Sequence, residues 1–574
     1  MNDPQPTPTP IASRELKRLC DTVQAEIARH ALSYRLAPVR QSTQAAAMMI
    51  LTAAREIGGA PADAPDLLAE AHNLLQRTLD LQRPDGAWDG EFPGFPGTGV
   101  TASVAFSLAH IRWHLASAKV PETWSDLEGR LDLSNAMAMQ WLEHRAPRDI
   151  HPQTAALVLA ARAMAMEAAR QANETPPMAD LLTHLLTRQH EEGWFDTGTG
   201  TADLLAQACI LDDLCLHAHL TGTWHHLGQL ERAFEFLDCY MLPGGVLPSP
   251  HHPHGAPPAV GRLATLLLAD KLPAALCRHD ALEQLALHTP PGAALPGARG
   301  LEHPRMLALR GERLLLAASW GSQAAASIAA NRELIAAPPG RGEHAGEIRV
   351  ALHPVAGVAC VWHGHKRSII AGRYGCVQSF PDTLQSVSEG TDASATITSD
   401  LGLTLRYRGV SLRAARPLTA STDDTPTASF EEHRAPGRVT FPMGLAVVPR
   451  RLVLSARWAR AIYRLLRLAP ATRRPARNLL RWARAKSRSA DARLARLLPP
   501  APLLHIQRWV TLDDEGQVTV EDTVRNAAGR PIALRGHLTI LTQPAPPEPP
   551  APPPAVLPPG DSATLTRVLS SKPA

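Results

Sequence analysis

With 574 residues the chain exceeds one ordinary hydrophobic core, which points to at least two domains. Hydrophobic residues at 45% suit globular folding, and a net charge of only +4 excludes nucleic-acid binding driven by overall charge. Seven cysteines without a CxxC pair exclude a disulfide framework and suit reduced thiols.

The N-terminal stretch "MNDPQPTPTPIASRELKRL" has no basic segment leading into an apolar one, so no signal peptide is read there. No run of about eighteen uncharged apolar residues occurs, so no membrane span is expected. Both features favour a cytoplasmic protein.

Residues 14–295 read as a helical domain. In "DLLAEAHNLLQRTLDLQ", Leu67, Leu68, His72, Leu74, Leu75, Leu79 and Leu81 form one broad apolar face at helical spacing. "QTAALVLAARAMAMEAAR" and "MADLLTHLLTRQ" are similar, and Gly or Pro clusters stop each run. The stops fall at Gln82, Trp141, Gln189 and Leu237, at intervals of 59, 48 and 48 residues. A period near fifty is two helices plus their loops, the unit of helical-hairpin solenoids and (α/α) toroids. Two stops share their wording: "LQRPDGAWDG" and "RQHEEGWFD". The spelling predicts equivalent hairpin ends, with Trp88 and Trp194 packing where outer helices turn inward.

Residues 300–540 change texture. "ERLLLAASWG", "GEIRVALHP", "GVACVWHG", "KRSIIAGRYG" and "ASATITSDLGLTLRYRGVSL" are short and often alternating, which predicts an antiparallel, sandwich-like β domain. "RWVTLDDEGQVTVEDTVRN" reads as a hairpin turning at Asp513 to Gly516. The whole is an α+β multidomain chain. One insertion interrupts the β region: residues 450–500 read as helical and carry fifteen basic residues against Asp491 alone. Arg457, Arg460, Arg464, Arg481 and Arg484, interleaved with Trp458, Tyr463 and Trp482, suit an anionic membrane surface or a polyanion. The plain alternative is a solvated helix pair packed on the protein itself. Residues 541–574 form a Pro-rich C-terminal segment that is extended or leads to a last strand, "SATLTRVLS".

A helical toroid followed by an antiparallel β domain resembles the heparinase II/III-like family and related polysaccharide lyases. The local match is carried by "LLTRQHEEGWFDTGTGTADLLAQACILDDL" and by "HRAPRDIHPQTAALVLAARA". Where family members often carry Asn-His, this chain reads Ile150-His151-Pro152-Gln153. It departs from the pattern after Trp194, where expected tyrosines are replaced by "DTGTGTAD", and at "HGHKRS", where His363 and His365 have no following acid. The resemblance implies binding of an acidic polysaccharide linked to cell-surface polymer metabolism, without a cofactor, by β-elimination at a uronate.

That reaction needs a carboxylate neutraliser, a base for the proton α to the carboxylate, and an acid for the leaving oxygen. His151 or Gln153 is the candidate neutraliser, Tyr240 the acid/base, and His251, His252 or His254 of "GGVLPSPHHPHG" the base. Trp88, Trp194, Asp196, Asp203, His363 and His365 are candidate substrate contacts. Each has a bland reading beside it: helix start for His151, hairpin-end packing for Tyr240, solvated loop for the histidines, turn or N-cap for the aspartates. Neither HExxH nor a Cys/His zinc pattern occurs, so no metal is assigned. The expected partners are an acidic polysaccharide and an anionic membrane surface through 450–500, at the inner membrane's periphery, with no specific nucleic acid.

Two other classes compete. One is a catalytically silent relative that binds saccharide or membrane. The other is a terpenoid-cyclase-like enzyme, suggested by "Q…DG.W" and by Asp212-Asp213. The chain has neither DxDD nor DDxxD, and aromatics are only 4%, little π surface for a carbocation. A deep apolar cavity bearing an Asp would favour it.

Overall fold

The computed structural model describes residues 39–54, 64–90, 96–115, 124–145, 150–168, 179–197, 202–241 and 261–288, positions 313, 316, 317 and 328, and, from residue 348, the strands named below with 558–561. Ten helices are described, and they alternate in character. Those numbered odd are α1 (Val39–Ala54), α3 (Thr98–Leu115), α5 (Pro152–Ala168), α7 (Leu204–Thr221) and α9 (Arg262–Leu268). Those numbered even are α2 (Ala64–Asp80), α4 (Ser125–Arg145), α6 (Ala179–Leu186), α8 (Leu227–Asp238) and α10 (Pro273–His288).

The sequence dictates which set goes inside. In α2, Leu68, Ala71, Leu74, Leu75 and Leu79 face the core while Asn73, Gln76 and Asp80 are exposed. In α8, Leu230, Ala233, Phe234 and Leu237 do the same against exposed Arg232 and Glu235. Such one-sided helices cover a core. By contrast, α7 is buried at every position from Ala206 to Ala218, and α5 at every position from Ala155 to Ala161. Helices buried on all sides, as these stretches are, are surrounded by protein. The packing follows: α1 lies on α3, α3 on α5, α5 on α7 and α7 on α9, while α2 and α4 touch each other outside them. Leu81 of the expected apolar face lies one residue beyond α2 and is 47% exposed.

The repeated punctuation is a repeated device. Gln82 follows α2, and its Nε2 donates to the carbonyls of Gly86 (2.9 Å) and of Ser134 on α4 (2.8 Å). Gln189 follows α6, and its Nε2 donates to the carbonyls of Gly193 (3.0 Å) and of Gln229 on α8 (2.8 Å). One amide thus ties a hairpin end to the next outer helix, twice. Gly86 (φ 90°) and Gly193 (φ 93°) are both left-handed. A Cβ at either would run into a backbone oxygen, of Met137 or of Arg232, three residues along those same outer helices. Superposing the glycines places Ala87 on Trp194 and Trp88 on Phe195. The tryptophans are therefore not equivalent, as their spelling suggested; the glycine, which only a Cβ-free residue can satisfy, sets the register. The loop after each is pinned differently: the Thr101 Oγ1 accepts from Trp88 N, whereas the Gln207 amide both accepts from Phe195 N (2.7 Å) and donates to Phe195 O (2.8 Å).

Replacing Gln189 by Ala leaves the partly buried carbonyls of Gly193 and Gln229 without this donor. The expected loss is about 1–3 kcal/mol in chemical denaturation, with a similar loss for Gln82→Ala. A loss below about 0.5 kcal/mol at both would show the clamp to be idle.

Two expectations are corrected here. Trp141 lies inside α4, four residues before its end, and outer helices end at 80, 145, 186 and 238, so the repeat is less even than the stops implied. In "ERLLLAASWG", read as strand-like, Arg313, Leu316 and Ala317 are helical, in line with the helix preference of Leu and Ala. Leu316 is fully buried in the same core as the inner helices, so that core reaches past residue 295.

Farther along, β1 (Ile348–His353), β2 (Val358–His363), β3 (Lys366–Ala371), β4 (Cys376–Pro381) and β5 (Thr396–Thr398) pair in sequence order, all antiparallel. A ladder in the order β14 (Ala555–Leu557), β13 (Ile532–Arg535), β6 (Thr404–Tyr407), β7 (Val410–Arg413) follows, and β8 (Arg416–Leu418) pairs with β10 (Gly444–Ala446). The hairpin read at Asp513 to Gly516 joins β11 (Leu504–Leu512) to β12 (Val518–Asn526), with Leu512 opposite Val518. β9 (Arg438–Phe441) flanks β11. "SATLTRVLS" supplies β15 (Ser562–Leu569), antiparallel to β12. Residues 450–500, with Arg457, Arg460, Arg464, Arg481 and Arg484, lie outside the described residues.

Candidate functional site

Connections from outer to inner helices emerge at the N-terminal ends of the inner helices. Three charged or polar side chains meet there. His151 immediately precedes α5 and is exposed; its Nδ1 accepts from Gln153 N at 3.3 Å. Arg188, just beyond α6, donates from Nη1 to the carbonyl of Ile150 at 3.3 Å. Asp203 caps α7, its carboxylate accepting from Leu205 N (3.1 Å) and Ala206 N (3.3 Å). Partial burial lowers the His151 pKa; the Arg188 charge lowers it further and Asp203 opposes both. The imidazole is therefore neutral at neutral pH. With Nδ1 occupied as an acceptor, Nε2–H is left as a donor. A neutral donor beside a guanidinium, at the start of two helices, suits an anionic group.

The other sequence candidates separate into core and rim. Trp88 is completely buried, its Nε1 donating to Thr78 O at 2.8 Å. Trp194 is 3% exposed, stacks on His190, and donates to Glu192. Tyr240 is completely buried against the Phe236 ring, centroids 5.3 Å apart. None of these three presents a face to a polymer; each fulfils the packing role its hairpin-end position offered. Asp196 is exposed, its N–H on the carbonyl of Arg188 at 3.0 Å, so it lies at the same rim as Arg188. Gln153 is half-buried in the first turn of α5. His363 ends β2, its backbone opposite Ile348 and Lys366. His251, His252, His254 and His365 lie outside the described residues.

Sequence reasoning passed over Arg188. Its signal lay in the two motif copies: the residue before the clamp glutamine is Leu81 in the first and Arg188 in the second. A charged residue replacing an apolar one in a duplicated frame marks a local difference in use.

A second polar cluster lies inside. Asp212 and Asp213, midway along α7, are 0% and 1% exposed. Asp212 accepts from Gly261 N and Ala264 N, both at 2.9 Å. Asp213 Oδ1 lies 2.6 Å from Arg313 Nη2, and Asp212 Oδ2 lies 4.0 Å from Arg313 Nη1. Arg313 also sits over the Phe106 ring of α3, 5.9 Å from its centroid. Burial pushes Asp212 up to about 6 against the opposing pull of Arg313 and the two amides, with Asp213 adding to the rise. Asp213 is raised by burial too, against Arg313 and Arg40. Burial, opposed by Arg313, pushes the neighbouring Cys209 thiol up to about 12, so it is a protonated, inert thiol. Asp212 is held by the two backbone amides, and Asp213 faces the Arg313 guanidinium as an ion pair.

At the opposite end of α7, His217 is buried beside His225 and His226, whose ring centroids are 3.9 Å apart. Burial first, then the two neighbouring rings, lower the His217 pKa to about 4. Folding therefore favours neutral His217. Its contribution is fully present above the ordinary histidine value near 6.5 and is lost as pH falls through 6.5 toward 4. His217→Asn is expected to flatten the fall in melting temperature over that window; an unchanged slope would reject the assignment.

Among the described residues no group of three or more His, Cys, Asp or Glu is arranged to hold a metal ion, and no helix is long and apolar enough to cross a membrane. No protein-family model and no curated protein matches the chain.

Proposed function

We propose that the chain is a heparinase II/III-like protein that takes an acidic polysaccharide at the N-terminal ends of its inner helices and acts on it by β-elimination at a uronate. In this reading the helices close into an (α/α) toroid, and the strands beyond residue 348 form a sandwich-like partner domain. The observation that carries the proposal is the meeting of His151, Arg188 and Asp203 at the start of the neighbouring helices α5 and α7.

The chemistry follows from the groups. Removing the proton α to a carboxylate leaves charge on that carboxylate. The guanidinium of Arg188 and the Nε2–H of neutral His151 are suited to receive it. The base falls to His251, His252 or His254, whose imidazolium returns the abstracted proton to the leaving oxygen, and Asp196 and Asp203 line the polar rim. The basic insertion would hold the protein near an anionic lipid surface or lengthen the polymer track, which fits a cytoplasmic protein of cell-surface polymer metabolism at the inner membrane.

His151→Ala and Arg188→Ala are expected to lower elimination on an acidic polymer by about 10²–10³-fold each, the range for loss of one preorganised donor. Rates within a factor of two of wild type at both would remove this site from the reaction. The burial of Tyr240 favours a second reading, a relative that binds without cleaving; it predicts saccharide binding that weakens in the same variants with no unsaturated product.

A further inference from the structure

The interior cluster assembles groups from distant parts of the chain. Arg313 reaches Asp213 on α7 and the Phe106 ring on α3, although α3 and α7 are separated by α5 in the packing series. The fields of Arg40 on α1 and Arg313 both act on Asp213 and Cys209. Gly261 and Ala264, at the start of α9, close the other side on Asp212. Four inner helices thus face one point, and Arg313, from beyond α10, lies buried at it. Leu316, one turn further, is fully buried among the same helices.

We propose that Arg313 is a charge latch: its guanidinium, delivered from outside the ten-helix series, holds α3 and α7 together across their interior. The latch is electrostatic. Two adjacent carboxylates with almost no exposure repel each other and have lost their hydration. Asp212 has the two α9 amides and Arg313; Asp213 faces Arg313 and Arg40. Cys209 and Cys215, also on α7, contribute no charge. Removing the Arg313 guanidinium therefore leaves Asp213 under the influence of Arg40 without Arg313, and the helices around the acid pair are expected to loosen. This device stands apart from the polysaccharide reading and holds whichever ligand the rim takes.

The test is thiol labelling of the full chain, followed residue by residue in a mass spectrum. Cys209 is fully buried beside the cluster, while Cys277 is partly exposed and serves as the internal control. Arg313→Met is expected to speed Cys209 labelling, relative to wild type, at least about tenfold at pH 8. The ratio should shrink at pH 5, where the unlatched carboxylates take up protons and cease to repel. Adding Asp213→Asn to Arg313→Met should return the pH 8 ratio most of the way to one. A simple packing role for Arg313 would give the same ratio at both pH values and no rescue, which would overturn the latch. If Arg313→Met does not accumulate as folded protein, Arg313→Lys keeps the charge and should label within about threefold of wild type, a loss equivalent to under about 0.7 kcal/mol; rapid Cys209 labelling in that folded variant would overturn the latch too.

Discussion

Gly193→Ala is expected to lose on the order of 3–5 kcal/mol and to leave little folded protein. Two penalties add. At φ 93° any side chain is strained, by about 1–2 kcal/mol. The new Cβ would also overlap the carbonyl oxygen of Arg232, a backbone atom fixed inside α8. The loop cannot retreat, because Gln189 holds the Gly193 carbonyl and Gln207 holds the next residue but one. Gly86→Ala faces the same pair of penalties against Met137. Gly222→Ala provides the control: it too has positive φ, 66°, but open space around it, so a loss of about 1 kcal/mol is expected. Urea unfolding of the three variants checks the order. Equal losses at Gly193 and Gly222 would mean that the close approach to α8 does not matter.

Arg278→Met is expected to cost about 3–5 kcal/mol. Arg278 on α10 and Asp238 at the end of α8 are 5% and 7% exposed, and Nε lies 2.6 Å from Asp238 Oδ1. A second donor, Nη2, reaches the Asp238 carbonyl at 3.2 Å. Removing the guanidinium takes the Arg278 charge and two donors away from the buried Asp238, which costs more than removing both partners. Asp238→Asn combined with Arg278→Met should therefore recover at least about 1 kcal/mol of the loss. A strictly additive double variant would show that the pair is not coupled.

Much of this was legible in the chain. The spacing of Leu68, Leu75 and Leu79 and the Ala/Leu run around Val158 announced helices; which of them is surrounded on all sides emerges only from the packing. The two Gln-to-Gly phrases announced equivalent hairpin ends, and "DDEG" placed the β11–β12 turn. The errors share a cause. Trp88 was matched to Trp194 by letter, but backbone geometry ties Gly86 to Gly193 and so Trp88 to Phe195. Tyr240 stood out as one of only five tyrosines, yet scarcity carries no information on exposure. Arg188 and Arg313 act on His151 and Asp213, 37 and 100 residues away in number. Local periodicity does not encode such meetings; they emerge only when the helices stack.

The most direct measurement is ultraviolet absorbance of the unsaturated uronate as the full chain is mixed with a panel of acidic polysaccharides. The account predicts a rise with at least one of them, abolished in His151→Ala, with a matched neutral polymer silent. A flat trace for folded protein across the panel, with no saccharide bound, would contradict it.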